Sequence, residues 1–224
     1  MGPDRARVSR QPQHAARPRN LTAFQPARAV QVQWHSDDGG AVPTFLSHPA
    51  VPLALGVGLG ERVVSRRLLA AGVAASVLPD LDVVGLRLGI PYEAALGHRG
   101  ATHSLVFAAA VAVVGAALHR ALDSRARTAF AFLFVAGASH AVLDALTSGG
   151  LGVALLWPFS DARYFAPVRP IPVAPLGVHG LLARGPAVLS SEILRVWVPS
   201  AVLGVLLAWQ RWRRGARDAA LRSR

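Results

Sequence analysis

Three short blocks of this sequence hold side chains able to do chemistry. Pro79-Asp80-Leu81-Asp82 places two carboxylates at i and i+2 where an apolar run ends. In an extended segment such residues project to one side, so both can face one cation or a pair. The alternative is a helix-ending turn whose Asp caps the next element. His98-Arg99-Gly100-Ala101-Thr102-His103-Ser104 carries two imidazoles five residues apart at the mouth of an apolar stretch. Gly100 lets the chain turn closely between the rings. Thr102 and Ser104 are candidates for capping or for fixing an imidazole tautomer; the bland reading is a pair of interfacial histidines. His140-Ala141-Val142-Leu143-Asp144 is the sharpest signal, because residues four apart share one helix face. The two side chains either grip one cation or satisfy each other by a hydrogen bond. An ionisable group inside an apolar helix is expensive and marks a functional site by default.

With His48 near the start of the first apolar run, these blocks supply imidazoles and three carboxylates but no thiol, since the chain has no Cys. Such a nitrogen and oxygen set suits Zn²⁺, Mn²⁺ or Fe²⁺, with Zn²⁺ the usual tenant. The set is too large for one tetrahedral ion, which implies two or three. No nucleophile elbow, P-loop or dinucleotide fingerprint occurs. Arg163, within the aromatic stretch from Trp157 to Phe165, offers a planar fork for a phosphate or carboxylate, unless the stretch is only an interfacial belt. Glu192 either reaches the site or caps its helix, with the cap favoured. His14, His35 and His119 lie in the tail or an Arg-rich turn and are read as bland, and His179 is assigned no role.

The elements that must position these residues are greasy. Of 224 residues 52% are hydrophobic and 16% charged, against about 25% charged in an average soluble domain. Disorder and an ordinary soluble enzyme are thereby disfavoured. The net charge is nonetheless +12, all 24 basic residues being Arg. Most of the excess sits at the two ends, and no basic groove with interleaved aromatics is visible, so nucleic acid is not an expected partner. Five apolar segments follow one another: Phe45 to Gly60, Leu68 to Leu78 (stopping at Pro79), Ala101 to Leu118, Thr128 to Leu146, and Val196 to Gln210. A span needs about 20 apolar residues. The third and fourth qualify, the fifth nearly does, and the first two read as short, either half-buried or extended by their flanks.

The expected fold class is all-α, an integral membrane bundle of about five helices with a polar metal site at one membrane face. Arg-rich turns at 61–67 and 119–127 and the segment from Arg211 should share the cytoplasmic side. Tracing the helices from there brings His48, Asp80, Asp82, His98, His103, His140 and Asp144 together at the opposite, extracytoplasmic face. Residues 1–42 read as a disordered basic tail or a mis-called start, 43–210 as the membrane-embedded domain, and 211–224 as an Arg-rich cytoplasmic tail.

Ser47-His48-Pro49, the PDLD and HRGATHS blocks, Ser139-His140 with Asp144, and Trp157-Pro158-Phe159 together resemble the YdjM-like family of bacterial inner-membrane metal-dependent hydrolases. The resemblance runs from about residue 43 to residue 200 and reaches distantly to the zinc-dependent phospholipase C and single-strand nuclease superfamily. It implies His48, Asp80, Asp82, His98, His103, His140 and Asp144 as metal ligands. Val83 stands where a further His can follow the second Asp, a departure that bears on a third ion. The function expected is a phosphoesterase acting on a lipid or amphiphilic phosphate at the bilayer. In it Asp82 handles the proton of the attacking water and Arg163 neutralises phosphoryl charge. The alternative is a non-enzymatic membrane protein that binds or transports metal. Nothing in the sequence sets the oligomeric state.

Overall fold

Pro79 decides the shape of the bundle. The computed structural model describes residues 41–42, 46–175 and 178–223; the amino-terminal tail, with His14 and His35, lies outside them, as does the side chain of His179. Helix α1 spans Ala50–Leu59 and α2 spans Arg66–Val77. At Pro79 the α-helical register gives way to a 3₁₀ turn, Leu78–Asp82, which leads directly into α3, Val83–Arg87. Proline has no N–H to donate and crowds the preceding turn, so the hydrogen-bonding pattern changes while the axis continues.

A second 3₁₀ turn, Ala101–His103, introduces α4, Leu105–Ala117, and α5 follows at Ala126–Ala145. Helix α6, Val178–Glu192, passes through a π turn at Ile193–Trp197 into α7, Val198–Arg222. Apart from a two-residue antiparallel pairing of Ala41–Val42 with Ala174–Pro175, the described architecture is helical.

Among the described residues three stretches are long and apolar enough to cross a membrane: Arg66–Arg87, Ala126–Ala145 and Gly185–Arg222. This reverses part of the sequence expectation. The second apolar segment is extended past Pro79 by its flank, one of the two readings open to it, whereas the third forms only the 13-residue α4, about 20 Å long at ~1.5 Å per residue. Helix α7 carries the Arg-rich terminal segment to Arg222.

Small residues let these helices touch. Val64, Leu68, Ala75, Ala112, Ala129, Phe132, Leu133 and Ala136 form the main core between α2, α4 and α5. A methyl group on Gly115 would stand 1.9 Å from Leu133 Cδ1, and one on Gly204 would stand 3.0 Å from the Ala54 carbonyl oxygen. Close backbone approach of this kind drives helix association where lipid removes the hydrophobic incentive.

The helix ends sort into two groups. Ser65 Oγ donates to the Leu122 carbonyl at 2.5 Å, and Arg211 Nη1 donates to the carbonyls of Val57 and Gly58 at 3.1 and 2.9 Å. Both Arg-rich turns and Arg211 therefore share one end of the bundle. The segments holding His48, Asp80, His103 and Asp144 lie at the other.

Candidate metal centre

Four chain segments deliver the ionisable side chains to that second end. His48 precedes α1, Asp80 and Asp82 sit on the 3₁₀ turn that closes α2, His98 precedes and His103 ends the turn before α4, and His140 and Asp144 occupy the last turns of α5. Single-atom donors of Asp80, His103, His140 and Asp144 all lie within 4.8 Å of one another, and those of Asp82, His98 and His103 do so as a second group. His48 stacks on His140 at a centroid distance of 3.8 Å, with Nε2 3.6 Å from Asp80 Oδ2 and 3.8 Å from Asp144 Oδ1. All seven expected ligands converge. Of the two readings of the PDLD segment the structure takes the turn, with no side-chain cap from Asp82 to the next helix. Its 3₁₀ turn divides the two carboxylates between neighbouring groups that share His103.

The two groups differ in how well the protein satisfies them. Asp82 is saturated: it receives His98 Nδ1 at 2.5 Å, the Arg99 amide at 3.1 Å and Thr102 Oγ1 at 2.6 Å, with His103 Nδ1 3.1 Å away. The carboxylate expected to handle a proton is thus committed to orienting two imidazoles, the usual work of a carboxylate behind metal-binding histidines. In and beside the first group, both oxygens of Asp80 and both ring nitrogens of His48 are buried without a hydrogen-bond partner among the described residues, as is Nε2 of His98, while Asp144 Oδ2 has the Arg99 guanidinium as its ion-pair partner. Each such orphan costs about 1–3 kcal/mol.

Tautomers sharpen the point. His140 Nδ1 donates to the Ser76 carbonyl at 2.7 Å, which leaves a lone pair on Nε2. His103 Nδ1 faces Asp82 and Thr102 Oγ1, which turns its Nε2 towards Asp144 Oδ2 at 3.1 Å and towards His140. The two Nε2 atoms stand 2.9 Å apart. The approach of these two nitrogens beside two carboxylates requires a positive charge among them, a proton on His103 or a cation in its place. The donor set and its orphaned atoms fit a divalent cation.

Arg99 is the residue the sequence reading passed over. It is fully buried at φ 60°, an uncommon backbone conformation outside glycine. Nη1 donates to Thr147 Oγ1 at 3.0 Å and to the Gly149 carbonyl at 2.9 Å, and Nε lies 3.3 Å from Asp144 Oδ2. The signal was present in the block itself, an Arg held between two ligand histidines at the mouth of an apolar helix.

Two other expectations change, and Thr102 and Ser104 divide between the two readings open to them. Arg163 Nη1 donates to the His98 carbonyl at 3.0 Å, and Nη2 donates to those of Tyr92 and Ala94 at 3.0 and 3.2 Å. Its fork clamps the 92–98 loop rather than facing the cluster as an anion receptor. Burial pulls this guanidinium below its ordinary pKa, opposed by Tyr92, Asp82 and Glu93, and burial pushes the Tyr92 phenol up. Glu192 does not cap a helix: it is 1% exposed inside the continuous run from α6 into the π turn and accepts the Ser47 hydroxyl. Ser104 is the cap, its Oγ accepting from the Phe107 amide at 3.0 Å, while Thr102 supports Asp82.

Residues 43–216 match the family model described as YdjM inner membrane protein. The chain is 43% identical over 175 residues to Inner membrane protein YbcI of Escherichia coli (strain K12), an alignment covering 76% of this chain and 99% of that protein. No solved structure matches it.

Proposed function

Because this chain belongs to the YdjM family of inner membrane proteins, we propose that its polar centre is that of a membrane-embedded, metal-dependent hydrolase cleaving a phosphate ester of a lipid or amphiphile. The observation that carries this reading is the buried group of Asp80, His103, His140 and Asp144 with its orphaned donor atoms. One or more divalent cations, Zn²⁺ first among them by donor type, supply Lewis acidity that activates water near neutral pH and offsets charge on phosphoryl oxygens.

The chain's own residues do the rest. Asp80, His103, His140 and Asp144 hold the cation, and His48 closes on the same space from the His140 side. Asp82 orients His98 and His103, and Ser76 fixes His140. Asp80, at 12% side-chain exposure the most open of these carboxylates, is placed to orient the attacking water and take its proton, the role first given to Asp82. Placement at the ends of the helices favours a substrate whose headgroup sits at the bilayer surface. The positive-inside rule puts that end on the extracytoplasmic face.

Metal content and hydrolysis test this directly. Purified protein should carry zinc or manganese and hydrolyse phospholipids or p-nitrophenyl phosphodiesters, and Asp144→Ala should lose both properties. A metal-loaded wild type without hydrolysis of any phosphoester would favour metal binding or transport. A protein free of metal would remove the centre altogether.

A further inference from the structure

The centre is closed towards the end of the bundle that lies beyond it. His98, Arg99, His103, Ser104, Thr147 and Val153 are at most 2% exposed. Their two largely irregular segments are pinned to each other past the helix ends. Arg99 Nη1 donates to Thr147 Oγ1, the Ala154 amide donates to the Arg99 carbonyl at 3.0 Å, and the Leu105 amide donates to the Leu155 carbonyl at 3.0 Å. Among the ligand side chains Asp80 is the open one. It is 12% exposed, against 3% or less for His48, Asp82, His98, His103, His140 and Asp144.

Asp80 stands inside a span rather than at its end. Arg66–Arg87 has 22 residues, about 33 Å of helix against a hydrocarbon core of about 30 Å. Apart from Asp80 and Asp82, no charged residue lies between Arg67 and Arg87. The rise from Asp80 to Arg87 is about 10 Å, so the carboxylate sits roughly two turns short of the charged end of its helix. Past that level the helix keeps an apolar outer surface. Leu81, Val84 and Leu88 are 64, 51 and 76% exposed, at the i, i+3, i+7 spacing of one face. Val84 also follows Asp80 by four residues, which puts it on the carboxylate's own side of the helix.

The geometry points to a lateral entrance: the substrate reaches Asp80 from within the leaflet, past Leu81 and Val84, and is a bilayer-resident phospholipid, not a water-borne phosphate ester. Its acyl chains stay against Leu81, Val84 and Leu88 while its phosphate sinks below the level of Arg87. The exposed Arg87 side chain extends from there to the headgroup layer. An apolar row is the surface that such chains need. A water-soluble ester gains nothing from it and would have to pass the closed segments around Arg99 and Thr147. The inference rests on the phosphoesterase reading above and narrows its substrate.

The chain has no Cys, so single nitroxide labels on Leu81→Cys, Val84→Cys and Glu93→Cys, in full-length protein reconstituted into vesicles, report position independently of activity. The labels at 81 and 84 should collide with oxygen, which concentrates in lipid, and be shielded from a water-soluble nickel chelate. The label at 93, in the loop, should show the opposite ranking. In parallel, kcat/KM of wild type is measured for a long-chain phospholipid in vesicles and for a short-chain, water-soluble diester with the same headgroup. The long-chain substrate should be preferred by about 10-fold or more, since a single methylene in an apolar contact is worth about that much. Nickel accessibility at 81 and 84 equal to that at 93 overturns the lateral entrance, and so does equal or faster turnover of the short-chain diester. Should wild type hydrolyse neither ester, the phosphoesterase reading fails, and the labels still decide whether the Asp80 side of the helix faces lipid or water.

Discussion

Arg99 Nε lies 3.3 Å from Asp144 Oδ2, and neither side chain is exposed to solvent. The same oxygen stands 3.1 Å from His103 Nε2, so one carboxylate faces both the guanidinium and the cation-binding group. Removing one partner of a buried ion pair costs about 3–5 kcal/mol because it strands the other charge. Arg99→Leu should therefore destabilise the metal-free protein by about that amount, read as a lower unfolding midpoint in detergent. Arg99→Lys keeps the charge but loses the fork to Thr147 and Gly149, and should fall between the two. A midpoint equal to wild type in both variants would show that the pair holds nothing together.

Much of the site was legible because its signals are local. His140 and Asp144 are four apart on a helix, and the HRGATHS block keeps its ligands within one turn and its flanks. Convergence at one end followed from counting Arg in short turns, because charge asymmetry and helix direction together fix which ends meet. What escaped depends on contacts far apart in sequence. Arg99 meets Asp144 across 45 residues, and Ser47 meets Glu192 across 145. The length of the second helix is open in sequence for a different reason: proline at the start of a 3₁₀ turn looks like a terminator, although the axis carries on to Arg87.

Gly100 should tolerate no side chain. A Cβ there would stand 2.3 Å from the Ala95 carbonyl oxygen and 2.7 Å from that of Gly97, both backbone atoms that cannot swing aside. Gly100→Ala must push the 95–100 loop outward and carry His98 with it. Overpacking of this sort costs about 1–3 kcal/mol, and Zn²⁺ affinity should fall as well. A wild-type unfolding midpoint and wild-type Zn²⁺ binding in this variant would contradict the close approach.

Arg163 separates a structural clamp from an anion receptor. Its fork holds the carbonyls of Tyr92, Ala94 and His98, and hydrogen bonds from a charged donor are worth about 1.5–3 kcal/mol. Arg163→Ala should loosen the 88–98 loop, seen as faster limited proteolysis there and a lower unfolding midpoint. Inhibition by inorganic phosphate should keep its wild-type constant per folded molecule. Weakened phosphate inhibition with an unaltered loop would return Arg163 to the anion-binding role.

The orientation of the bundle can be read with thiol chemistry, because the chain has no Cys of its own. Glu93 lies in the loop beside the metal centre, while Asp123 lies in the Arg-rich turn at the opposite end and lines a surface cleft with Arg62, Arg66 and Arg67. Short Arg-rich turns remain cytoplasmic. A membrane-impermeant maleimide added to intact spheroplasts should therefore label Glu93→Cys and spare Asp123→Cys until the membrane is broken. The reverse pattern would place the centre on the cytoplasmic face and direct the search for its substrate to the inner leaflet.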